Sequence, residues 1–214
     1  MKLWRSLFLG LLVLLQSSVV LAQETPPDKL VHDTAEDVLQ ILRTDEALRH
    51  GDKQRAYALV REKMLPVVNF RRTAQLTLGK YWRQASEEQR EAFAEEFKTL
   101  LINTYAAALT QYKDEKVVYK PFSMKPEEKR VVVQTEVIRA NGTKVPVDYY
   151  LERTSNGWRV YDVIVDGISL VINYRSAFSD IVEKKGVDGL IADLRNKNQR
   201  GETMEPNKTN NHQA

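Results

Sequence analysis

The 214-residue chain has no cysteine, so no disulfide supports its fold and no lipidated cysteine can anchor it. Histidine is scarce: His32, His50 and His212 are the only three, and their spacing matches no zinc motif. There is no Gly-x-Ser-x-Gly elbow and no phosphate-cradling glycine loop, which argues against a serine hydrolase and a nucleotide site. Charge of one sign is not in marked excess, with 32 basic residues against 29 acidic ones, so a nucleic-acid partner is not expected. A long hydrophobic run is missing everywhere except near the start.

That start has three recognisable parts. Lys2 and Arg5 are basic, Leu7 to Leu15 is an uncharged apolar run, and Val20 and Ala22 are small or compact residues placed for a cut after Ala22. This is the pattern of a secretory leader, interrupted by Gln16-Ser17-Ser18 and followed by no basic stop-transfer cluster, as a membrane anchor would require. We expect residues 1–22 to be cleaved and the mature chain to be exported. The leader takes two of the 32 basic residues, leaving 30 against 29.

About 190 mature residues suffice for one domain with its own core. Residues 23–198 are read as that domain and the polar stretch 199–214 as a disordered tail. Helical spacing predicts helices over Asp28–Arg49, Lys53–Met64, Arg71–Gln84 and, from a Ser86/Gln89 capping box, to about Tyr112. The apolar face of this last helix is wide, which implies burial between neighbours. The period then changes to two. Strands are expected over Val117–Tyr119, Arg130–Arg139, Thr143–Arg153 and Trp158–Val165, with a two-residue hairpin at Asn141-Gly142. Pro146 suggests an edge strand or a bulge. Helices resume over Ile168–Glu183 and Val187–Asn196, separated by Gly186. Helices, an antiparallel meander and helices again make an α+β fold, with helices on one face of a curved sheet of about four strands and room for an apolar pocket between.

Asp162 and Asp166 are the one carboxylate pair of interest, four residues apart among Val160, Val163, Ile164 and Val165. They could serve as acid and base in a cone-shaped cavity, or be structural, with Asp162 accepting hydrogen bonds and Asp166 capping the next helix. On pattern alone the reading stops at an exported α+β domain with a possible ligand pocket, since an apolar stripe is more often core.

Four stretches carry more. They are Leu78-Gly79-Lys80-Tyr81-Trp82-Arg83-Gln84-Ala85-Ser86 with Glu88 to Phe93; Phe97 to Leu101 with Tyr105; Gly157-Trp158-Arg159-Val160-Tyr161-Asp162-Val163 running into Asp166-Gly167-Ile168-Ser169-Leu170-Val171 and Asn173-Tyr174-Arg175; and Gly186-Val187-Asp188-Gly189-Leu190-Ile191. Together they resemble the toluene-tolerance or MlaC family, over most of the mature chain. Asn69 departs from the pattern, because many relatives are acidic near it. The resemblance implies a periplasmic, non-enzymatic phospholipid carrier with no cofactor beyond its cargo. It also implies a monomer that exchanges lipid with an outer-membrane lipoprotein–porin complex and an inner-membrane ABC transporter complex bearing a substrate-binding hexamer, and so maintains outer-membrane lipid asymmetry. From alternation and resemblance jointly, Val133, Val147, Tyr149 and Leu151 are expected in the sheet wall of the pocket, and Leu101 and Tyr105 on the helix wall. Val163, Ile168, Val171 and Tyr174 are expected at the far wall and mouth. An enzyme using Asp162 and Asp166, and a chaperone-like binder of apolar peptides, are the competing readings.

Overall fold

The computed structural model describes residues 24–204; the expected leader and the part of the expected tail beyond Met204 lie outside the described residues. Helix α1 spans Pro27–Thr44, with proline in its first turn and Val31, Val38, Leu39 and Leu42 buried. The expected helix to Arg49 is interrupted at Asp45. Its backbone turns extended, and its carboxylate accepts the Leu48 N–H at 3.2 Å and the Arg55 guanidinium at 2.6 Å. The aspartate thus offers the backbone an alternative to the helical ladder and starts a new short helix, α2, Glu46–Arg49. Helix α3, Lys53–Leu59, is capped by Asp52 and loosens into a π turn over Val60–Met64 and a 3-10 turn over Leu65–Val67.

Helix α4, Phe70–Leu78, is shorter than expected. Arg175 reaches across to its carboxyl end and donates to the Leu76 carbonyl at 2.7 Å, and the chain continues as a 3-10 segment, Gly79–Arg83. Helix α5, Glu87–Leu109, starts at Ser86 with both halves of the capping box made. It packs against α3, α4 and the last helix, which accounts for its wide apolar face.

The sheet is an antiparallel meander in the order β1 (Lys116–Tyr119), β2 (Arg130–Ile138), β3 (Lys144–Thr154), β4 (Gly157–Val165) and β5 (Ile168–Ser169). The two-residue fifth strand lies where the sequence suggested helix. Its hairpin is Asp166-Gly167, with φ of 52° and 79°, the paired positive φ of a tight turn. Asp166 is therefore a turn residue, and Ser169 caps the following helix instead, accepting the Ile172 N–H at 3.0 Å. At Asn141-Gly142 the loop is longer than two residues: Arg139 donates to Thr143, and only Gly142 has positive φ. Pro146 sits in a central strand, not at an edge. Its carbonyl accepts from Asp166 N at 2.9 Å, so its missing donor falls beside the turn that ends β4, where few ladder bonds are lost. The bulge lies elsewhere, at Tyr161, between the pairs Tyr150–Asp162 and Leu151–Val160.

Helix α6, Leu170–Gln199, joins the two expected helices in one element with a kink at Gly186, whose φ of 72° and ψ of 178° belong to a region open essentially to glycine alone. The expected tail is anchored at its beginning. Tyr174 donates its hydroxyl to the Met204 carbonyl at 2.7 Å, and the Met204 side chain packs on the helical core.

Candidate ligand-binding site

The pairing register sets out the inner face of the sheet row by row. Val131, Leu151 and Val160 form one row, Val133, Tyr149 and Val163 the next, then Thr135, Val147 and Val165, and last Val137 with Val145. The bulge at Tyr161 keeps Val163 and Val165 on this face; without it the alternation would have turned them outward. The first two rows pack with Val31, Trp158, Leu30 and Val68 into one apolar cluster. The later rows belong to no cluster of the described residues.

The helices form two clusters of their own. Phe93, Phe97 and Leu100 of α5 pack with Tyr174 and Phe178 of α6, their rings meeting edge-on at centroid separations of 5.2 to 5.7 Å. Ile102 and Ala106, further along α5, pack with Val38, Leu42 and Leu59. The core is thus in three pieces, whereas a small domain usually has one contiguous core. Apolar side chains between the pieces stay half-buried, and Tyr149 shows why this matters. It lies so deep that desolvation pushes its hydroxyl up in pKa, yet it keeps accessible surface. Tyr149 is thus desolvated over most of its length while part of it stays accessible.

The expected pocket residues divide among these regions. Val133 and Leu151 are packed in the sheet cluster, with Tyr149 and Val163 half-buried against it. Val147 is 8% exposed and belongs to no cluster. Leu101 is half-buried against the α5–α6 cluster, and Tyr174 is inside it. Tyr105 is half-buried on α5, Ile168 half-buried on β5, and Val171 buried in the first turn of α6. The structure therefore gathers the sheet residues on one face and places Leu101 and Tyr174 together in the α5–α6 cluster. Val137, Val145 and Val165 share the face of Val147 and were not among the expected residues. The signal for Val137 and Val145 was the same alternation carried further along each strand, while Val165 needs the bulge to be known.

The two carboxylates of the pair take separate structural places, Asp166 in the β4–β5 turn and Asp162 beneath it. Asp162 accepts the Val163 and Val171 N–H groups at 2.8 and 3.1 Å and the Ser169 hydroxyl at 2.5 Å, tying β4, β5 and α6 together. Among the described residues no three His, Cys, Asp or Glu side chains converge as a metal site, and no helix is long and apolar enough to cross a membrane. Asn69 caps α4 by accepting the Arg72 N–H and donates its amide to Glu152 at 2.9 Å. Together with the Asn69 N–H on the Val160 carbonyl, it fastens α4 to the sheet.

Comparison with known proteins places this geometry in context. The family model described as MlaC protein matches residues 32–196. The intermembrane phospholipid transport system binding protein MlaC of Haemophilus influenzae is 28% identical over 174 residues, covering 80% of this chain and 81% of that protein. Toluene tolerance protein ttg2D of Pseudomonas putida is 32% identical over 182 residues, covering 84% of each. A phospholipid-binding protein from Ralstonia solanacearum, solved in complex with a phospholipid, superposes with a TM-score of 0.76 at 38% identity, covering 81% of this chain and 97% of that one.

Proposed function

This chain belongs to the MlaC family, and from that premise we propose that it is a phospholipid carrier of the intermembrane space, holding acyl chains between the inner face of the sheet and the helices. The observation that supports this most is the unclustered apolar face around Val147 with the deep, accessible Tyr149 beside it, in a fold shared with a relative solved with phospholipid bound. The leader read at residues 1–22 supports a periplasmic location, and the Mla name of its Haemophilus influenzae relative supports exchange with an outer-membrane lipoprotein–porin complex and an inner-membrane ABC transporter complex that bears a substrate-binding hexamer. Its task there is the upkeep of outer-membrane lipid asymmetry. Lipid is its cargo, and no catalytic step or cofactor enters the proposal.

Energetics explain why such a carrier docks in order to unload. Each buried CH₂ contributes about 0.8 kcal/mol, so a 16-carbon chain of about 14 such groups gains roughly 11 kcal/mol before ordering costs. Release into water is correspondingly slow. Transfer therefore requires a docked partner that offers the tails another apolar site or opens the pocket.

The test is a charge in the sheet wall. Val147→Asp and Tyr149→Asp each place a carboxylate where a tail would lie, and burying an unpaired carboxylate costs several kcal/mol. Both variants are expected to keep a native circular dichroism spectrum and to lose most of their co-purified lipid. Folded variants that retain a full complement of lipid would place the tails elsewhere.

A further inference from the structure

The two edges of the sheet are finished differently. On one, β5 and the Val68–Asn69 segment bond to β4. On the other, β1 stands alone. Lys120 N donates to the Gln134 carbonyl at 3.0 Å, which fixes the phase of the ladder: Lys116 and Val118 face β2, while Val117 and Tyr119 turn their backbone groups outward. Among the described residues no hydrogen bond reaches those two N–H or two C=O groups.

The side chains of this edge are unusual too. Val118, on the outer face, is 40% exposed and is one of two large hydrophobic residues so exposed among the described residues. Lys116 and Lys120 flank it on that face. Among the described residues Lys116 makes no ion pair, and Lys120 only approaches Glu136 at 3.5 Å, a carboxylate it shares with Lys144. The strand is nonetheless held firmly from inside. Tyr119 donates its hydroxyl to Glu36 at 3.1 Å, and its ring lies 4.6 Å from that of His32, both on α1.

We propose that β1 is a docking edge to which an extended segment of a partner protein adds as a sixth strand, with carboxylates against Lys116 and Lys120 and an apolar residue against Val118. Main-chain bonds to Val117 and Tyr119 supply the attachment, and the side chains supply the choice of partner. The lysines also select against a second copy of this chain. Two β1 strands paired antiparallel about Val118 would set Lys116 of each opposite Lys120 of the other, like charge against like. The argument is independent of what the pocket carries.

A nine-residue peptide reading glutamate, valine, glutamate at every second position, with threonine between them, is the probe, titrated into the exported protein with amide hydrogen exchange as the readout and the same peptide with lysine for glutamate as the control. The acidic peptide is expected to slow exchange at Val117 and Tyr119, and the basic one to bind at least about tenfold more weakly. Val117→Pro removes an outward donor without breaking a rung to β2, and is expected to weaken the acidic peptide by about tenfold with thermal unfolding unchanged. Lys116→Glu combined with Lys120→Glu, a pure surface change, should reverse the preference between the peptides and carries the test should the proline variant unfold. Failure of the acidic peptide to bind, protection at amides other than those of this edge, or indifference to the lysine reversal would overturn the proposal.

Discussion

At Asp162, three hydrogen bonds converge on one carboxylate, and two of them reach other elements, Ser169 on β5 and Val171 on α6. Its role is to hold β5 and the first turn of α6 on the sheet. Asp162→Ala leaves two N–H groups and a hydroxyl short of an acceptor and is expected to lower stability by about 2–4 kcal/mol in denaturant unfolding. An active-site role would instead predict a variant as stable as the parent. Asn69 offers a second test. Asn69→Asp would keep the cap on α4 but replace the amide donor to Glu152 with a second carboxylate. The variant is expected to lose about 1 kcal/mol in denaturant unfolding near neutral pH. Asparagine at this position is thus matched to what Glu152 can accept.

Among the elements, α5 was the most legible in the sequence, because Ser86 and Gln89 announce its start and the apolar spacing runs unbroken behind them. Ser86→Ala is expected to cost about 1 kcal/mol in thermal or denaturant unfolding. The kink in α6 is equally definite. Gly186→Ala puts a side chain in a backbone region that glycine alone occupies easily, and is expected to destabilise by about 1–3 kcal/mol. The strands were also readable from their alternation. What escaped was decided by neighbours distant in sequence. The break at Asp45 depends on Arg55, the end of α4 on Arg175 from α6, and the tolerance of Pro146 on where β4 happens to stop. The candidate site was legible in the same measure: alternation marked the sheet face, but the bulge at Tyr161 and the division of the core into three clusters are properties of the folded chain.

For the molecule as a whole, the absence of cysteine leaves stability to the three apolar clusters, with surface charge as a modest addition. Asp45, Glu87 and Glu183 are held below their ordinary carboxylate values, chiefly by hydrogen bonds from Arg55, Arg71 and Tyr81 respectively. Because their folded pKa lies below the unfolded values of 3.8 and 4.5, this contribution is present above about pH 4.5 and is lost as pH falls through the folded values. Glu87 and Glu183 are exposed and Asp45 is half-buried, so salt screens the effect, least at Asp45. The melting temperature is expected to be flat through neutrality and to fall in acid, less steeply at high ionic strength.

The divided core bears on the proposed function, since a lipid seated on the face around Val147 would stabilise the folded chain. The measurement that tests this most directly is the mass of the exported protein, purified from the periplasm, under native and denaturing conditions. A native excess equal to one phospholipid, lost on denaturation and identified as phospholipid after extraction, is the predicted result. A native mass equal to that of the bare chain, or an excess that proves to be peptide, would contradict the carrier account.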